Sequence, residues 1–283
     1  MAVPGRPAPE EIGRDRGGTG VPASVFDAAA ADFMTLAPRL WDPLGRMLAE
    51  RSAPRPRERV LDACCGAGAS ALPAARAVTA AGRVDAVDMS GALVERGRRA
   101  ARDLPQLRFL QGDVTVWRSA DGPYDLVQSA YGVFFLPDMD AGSRHLVSLL
   151  RRGGRFAVQT WRRGALADVA RCIFEAAAGE VAQPVGRPAS AIASERIDSA
   201  PKLAQWLSSL GLTEVRVWEL PYVQPLTPDL AWGLVRGTAW RHLLSGCDEA
   251  AAQRIRNGLL ARIEQRGVTE LDASSLTGIG VRA

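Results

Sequence analysis

The nine residues Val60-Leu61-Asp62-Ala63-Cys64-Cys65-Gly66-Ala67-Gly68 decide how the rest of the chain reads. A short apolar run ends in a carboxylate and breaks at once into small residues with two glycines. Alanine-rich helical sequence follows, from Leu72 to Ala81. Strand, tight turn and helix in that order put free backbone N–H groups and a helix N-terminus against a bound ligand. The stretch therefore predicts a cofactor or nucleotide site at the end of a first strand, Arg59 to Asp62.

Outward from it the pattern repeats. Strands are expected at Arg83 to Val87, Leu107 to Leu110, Tyr124 to Gln128 and Arg155 to Thr160, with helices from Ser90 to about Arg102 and from Asp138 to Leu150. Strands alternating with helices of this length predict an α/β fold, a doubly wound and mostly parallel sheet with right-handed crossovers. Upstream, Val25 to Arg51 reads as two or three short helices, with Ser24 as a cap and Pro38 and Pro43 as breaks. Downstream, helices are expected at 164–179, 202–210, 228–244 and 249–265, strands at 213–220 and 274–282, and irregular chain at 183–199. The expected organisation is a disordered leader at 1–22, a helical cap at 23–57 and one domain at 58–283. That domain carries helical cover insertions at about 162–210 and 222–270.

Three acids close the first three strands, Asp62, Asp88 and Asp113, and should meet at one sheet edge. A carboxylate after the second strand is placed to accept from a ribose diol, and one after the third from an adenine amino group. Dinucleotide binding fits less well, because Ala71 stands where a third glycine would fall. No G-K-[ST] follows, which excludes an ATPase phosphate loop. The four cysteines, Cys64, Cys65, Cys172 and Cys247, form no C-x-x-C, and there are only two histidines, so no metal site is expected. No 18-residue apolar run predicts a membrane span, and no apolar leader suggests export, so a cytoplasmic enzyme is expected. The net charge of +4 is arginine-dominated and spread along the chain, and nucleic acid is not expected as a partner.

Taken together, the chain resembles class I S-adenosylmethionine-dependent methyltransferases, of the ubiquinone/menaquinone-biosynthesis-like group common in bacterial secondary metabolism. The family's D-x-G-x-G-x-G resembles Asp62 to Gly68, with Cys64 in place of the first glycine. Its ribose acid falls on Asp88, with Met89 beside it against adenine. Its G-D-[VAI] element falls on Gly112-Asp113-Val114, and its fourth-strand motif on Asp125-Leu126-Val127-Gln128. The L-[KR]-P-G-G turn falls on Leu150 to Gly154, with Arg152 replacing proline. The resemblance implies a seven-stranded sheet with a final antiparallel strand and S-adenosyl-L-methionine as cofactor. Its backbone contacts would lie at Gly66 and Gly68, and Asp62 and Gln128 would orient its amino group.

On the acceptor side Tyr131, Phe134, Phe135 and Trp161 follow the fourth and fifth strands, and Trp232 and Trp240 lie in a cover element. Such a set suits a planar or hydrophobic acceptor. His242 is the candidate general base and Tyr131 the second, although a phenolate, enol or amine acceptor would need no strong base. The expected function is O-, N- or C-methylation of a small aromatic or hydrophobic metabolite, as in antibiotic biosynthesis. The alternatives are an RNA or protein methyltransferase, or a cofactor-binding scaffold or non-methylating protein. A homodimer built through the N-terminal helices is the one oligomer the sequence suggests.

Overall fold

The computed structural model describes residues 23–180 and 188–283. The leader expected at 1–22 and the first part of the irregular chain expected at 183–199 lie outside the described residues.

Nine strands are described. Seven form one sheet: β1 (Arg59–Ala63), β2 (Arg83–Asp88), β3 (Leu107–Gln111), β4 (Tyr124–Ala130), β5 (Leu150–Trp161), β6 (Leu212–Leu220) and β9 (Ser275–Arg282). Their order is β3-β2-β1-β4-β5-β9-β6. The pairings from β3 through to β5 are parallel, and β9 is antiparallel to both β5 and β6. The sheet follows the pleat. Val60, Val84, Ala86, Leu126 and Ala157 enter one buried cluster, with Ala71, Ala74, Ala75 and Val78 of α3 (Ala71–Val78). Leu61, Val87, Val127, Phe156 and Val158 enter a second, larger one. Both faces are thus covered, which is why the strands read as nearly continuous apolar runs.

The order reverses between β1 and β4, whose C-terminal ends open a crevice at the switch point. Asp62 and Gln128 are register partners there. Around the crevice stand α1 (Ala23–Leu36), α2 (Trp41–Ser52), α4 (Gly91–Ala100), α6 (Ala167–Ala177), α7 (Ala189–Glu195), α9 (Pro228–Gly237) and a 3₁₀ segment (Ala239–Leu244). Farther out come α5 (Met139–Ser148), α8 (Ala200–Ser209) and α10 (Glu249–Arg266).

Several local expectations change. Ser24 lies inside α1, which begins at Ala23, and so does not cap it. The helix expected at 228–244 breaks after Gly237, because Thr238 is extended and its Oγ1 accepts from the Trp240 amide, capping a new turn. Part of the stretch read as irregular is α7, and a small ribbon of β7 (Val223–Pro225) with β8 (Glu270–Asp272) had no clear sequence signal. α8 packs on the sheet: a Cβ at Gly278 of β9 would lie 2.6 Å from Leu207. Among the described residues no helix is long and apolar enough to cross a membrane, and all four cysteines are free.

Candidate active site

The turn after β1 is shaped by backbone conformation. Cys64, Gly66 and Gly68 have φ of 57°, 53° and 98°, in the left-handed region where a side chain is strained. Cys64 therefore stands where glycine is easier. Its side chain sits against the turn after β4, where only glycine fits: a Cβ at Gly132 would fall 2.4 Å from the Cys64 Cβ. Burial pushes both the Cys64 and Cys65 thiols up, with Asp88 and Asp62 nearby adding to it, so neither is a thiolate nucleophile.

Asp88 closes β2 and is tied to the turn. One carboxylate oxygen accepts from the Gly66 amide at 2.8 Å and the other from the Ser90 amide at 2.8 Å. Burial raises its pKa, the two amide bonds opposing this. Each oxygen keeps a lone pair for a further donor. Asp113 accepts from the amide and hydroxyl of Thr115 through Oδ1 alone, at 2.8 and 2.7 Å.

A cavity of about 1110 Å³ opens on these groups. Of the residues expected to hold the cofactor, Cys64, Gly66, Asp88, Met89, Gly112, Asp113 and Val114 line it. Tyr131, Phe134, Phe135, Trp161, Trp240 and His242 line it too. Asp62, Gly68, Gln128 and Trp232 are not on its wall. Asp62 and Gln128 are fully buried one layer behind the turn: Gln128 Nε2 donates to Asp62 Oδ2 at 2.8 Å and to the Ser70 carbonyl, while Ser52 of α2 donates to Gln128 Oε1 at 3.0 Å. Gly68 is a packing glycine, since its Cβ would lie 2.5 Å from the Phe109 ring. Trp232 packs at the edge of the larger core.

The aromatic wall is built of three ring groups. Tyr131 and Trp161 have ring centroids 4.1 Å apart, Trp41 lies 6.3 and 6.5 Å from them, and Phe33 stacks on Trp41 at 5.0 Å. Phe26 meets Phe135 edge-on at 5.4 Å, and Phe174 meets Trp240 at 6.2 Å. Phe26, Phe33 and Phe174 were not among the residues expected from sequence. Phe26 and Phe33 are seven residues apart on one helix and so share a face, which is the signal that was available.

The two candidate bases differ sharply. The Tyr131 hydroxyl is bonded to Ser275 Oγ and accepts from Gln159 Nε2 at 2.8 Å, and burial pushes its pKa up. It tethers a ring and is badly placed to take a proton. His242 bonds through Nδ1 to the Ala239 carbonyl at 2.7 Å. A carbonyl only accepts, so in the neutral ring Nδ1 carries the proton and Nε2 is left as the base. His145 does the reverse, bonding through Nε2 to the Trp117 carbonyl at 2.8 Å.

The residues present fit S-adenosylmethionine. Acids on adjacent strand ends face a ligand that carries hydroxyls, an amine and a sulfonium charge. The left-handed turn lets backbone approach it, and the buried Asp62 Oδ1, with no hydrogen-bond partner, adds negative potential beneath. Residues 60–154 match the family model for a methyltransferase domain. The matched segment runs from β1 into the start of β5 and includes the turn after β1.

Among curated relatives, aklanonic acid methyltransferase DauC of a Streptomyces species is 34% identical over 135 residues, 47% of this chain and 61% of that protein. The matched segment thus spans about three fifths of that relative's length. The crystal structure of YcgJ from Bacillus subtilis superposes with a TM-score of 0.54 at 16% identity, covering 84% of this chain and 97% of that one. The [4+2]-cyclase SpnF gives 0.52 at 18%, covering 86% and 81%. These two likenesses concern the fold.

Proposed function

We propose that the protein transfers a methyl group from S-adenosylmethionine to a small aromatic or hydrophobic metabolite bearing an ionisable hydroxyl. One observation carries the reading: a single aromatic-walled cavity runs from the Asp88 and Asp113 carboxylates to His242. Its volume exceeds the range of roughly 300–1,000 Å³ that suits one drug-sized ligand, which supports donor and acceptor lying in it together. The relative that acts on aklanonic acid, by its name, supports a natural-product acceptor.

When bound, the cofactor supplies an electrophilic methyl on a positively charged sulfur. Asp88 and Asp113 would hold its nucleoside, and the Cys64–Gly66 turn its methionine part. Asp62 would act from behind that turn, held in place by Gln128. Tyr131 and Trp161 would pin the acceptor ring, exclude water and fix the angle of approach. His242 would take the hydroxyl proton on Nε2.

The test has two parts. Calorimetric titration with S-adenosylhomocysteine should show one site, abolished or weakened at least tenfold by Asp88→Ala. With methyl-labelled donor and a panel of hydroxylated aromatics, His242→Ala should lower kcat by about a hundredfold or more while leaving that affinity unchanged. A loss under tenfold would mean the acceptor arrives already ionised, and no turnover by the wild type would favour a binding or non-methylating role.

A further inference from the structure

His242 stands on a short 3₁₀ segment anchored in the core by Leu243, with His242 itself only half-buried. Its internal bonds are local, from Arg241 to Thr238 and from Ser245 to His242. Helix α1 reaches it from across the cavity mouth. The Asp32 carboxylate, 19% exposed, takes Arg236 Nη2 on Oδ1 at 2.9 Å and Arg241 Nη1 on Oδ2 at 3.0 Å. Arg236 closes α9 and Arg241 precedes His242, so one carboxylate clamps the 3₁₀ segment on both sides of its N-terminus. Arg241 Nη1 also donates to the Arg236 carbonyl at 3.1 Å, which folds the two arms together.

The clamp has a rigid base. α1 lies directly on α9, where a Cβ at Gly237 would fall 2.7 Å from the Asp32 carbonyl oxygen. At its other end Asp27 accepts from Ser90 Oγ at 2.6 Å and from the Ala92 amide at 3.1 Å, fixing α1 to the loop that carries Asp88. The helix is therefore held at the donor end by one acid and holds the acceptor end by another.

We infer that Asp32 is a positioning residue for His242: through Arg236 and Arg241 it holds the 3₁₀ segment in the conformation that keeps the His242 Nδ1 proton on the Ala239 carbonyl and Nε2 free. The inference deepens the reading of His242 as the base and rests on it for its meaning in catalysis, but not for its test.

The test is the tautomer of the ring. With only two histidines, long-range proton–nitrogen NMR at about pH 8 resolves both. The wild type should show His242 protonated on Nδ1 and His145 on Nε2. In Asp32→Ala the His242 pattern should move to the averaged signals of an untethered imidazole, while His145 stays as it was. A His242 pattern unchanged in a variant whose His145 signals prove it folded would overturn the inference. Should Asp32→Ala not fold, Arg241→Gln removes one arm of the same clamp and decides on the same readout. S-adenosylhomocysteine titrated into the same samples separates the two ideas. Binding should stay within about threefold of wild type, since the Asp32 carboxylate bonds to Arg236 and Arg241 rather than to the donor turn. No binding by the wild type would sink the methyl-transfer reading and leave the tautomer result standing.

Discussion

The Asp62 carboxylate is fully buried, receives Gln128 on one oxygen and leaves the other without a partner. Burial pushes its pKa up to about 6, the bonds from Gln128 and Ser70 opposing this and Asp88 adding to it. The folded chain thus holds this proton more tightly than the unfolded one. The stabilisation is full below the ordinary value near 4 and is lost as pH rises to about 6. Above that the folded state carries an unfavourable contribution on the order of 3 kcal/mol from this group. Asp62→Asn removes the titration. The variant should melt higher than wild type at about pH 7.5 and gain nothing near pH 4, as thermal melts across that range would show. Equal melting shifts at both pH values would place the cost elsewhere than in ionisation. A buried acid behind the turn suits a site for a cationic ligand through its field rather than by contact.

At the scale of elements, the contact of α1 with α9 is the joint that closes the acceptor side. Two glycines one turn apart, Gly233 and Gly237, let α1 approach. They are not equivalent. A Cβ at Gly237 would meet the Asp32 backbone, at 2.7 Å from its oxygen and 2.8 Å from its carbon, whereas one at Gly233 would meet the flexible Leu36 Cδ2 at 2.9 Å. Backbone cannot step aside as a side-chain tip can. Gly237→Ala should therefore cost about 1–3 kcal/mol, and Gly233→Ala clearly less, by chemical denaturation of the two variants. Equal costs would mean the helices slide apart readily. The sequence offered the glycines and the apolar spacing of both helices, yet read α9 and the 3₁₀ segment as one helix. Nothing in the local pattern marks Thr238 as a cap until its extended backbone is seen.

For the whole molecule, the order of the sheet sets which parts open together. β2, β1, β4, β5 and β9 are interior and paired on both sides, while β7 and β8 form a separate two-stranded ribbon. Amide exchange should be slowest in the interior strands and faster in the ribbon by about two orders of magnitude or more. Comparable protection in both would mean that the ribbon opens only when the whole sheet does. The doubly wound rhythm and the donor turn were legible in sequence because both are local. Strands bury both faces and so read as apolar runs, and a backbone forced into the left-handed region selects small residues such as Gly66 and Gly68. Asp88, Asp113 and Val114 followed, since a strand end fixes where its next residue stands. The layer behind the turn was not legible. Asp62 and Gln128 share the register of cavity-facing residues, and only the packing of α2, through Ser52, turns them inward. The acceptor wall was legible in part: Tyr131, Phe134, Phe135, Trp161 and Trp240 line the cavity, whereas Phe26, Phe33 and Phe174 join them from α1 and α6, far from those strands in the chain. The sequence by itself determined the fold and the donor end, through short-range constraints on backbone and burial. The tertiary structure alone decided that Tyr131 is tethered, that His242 keeps a free nitrogen, and that Trp232 stands outside the cavity. Those outcomes depend on long-range contacts that leave no periodic mark in the chain.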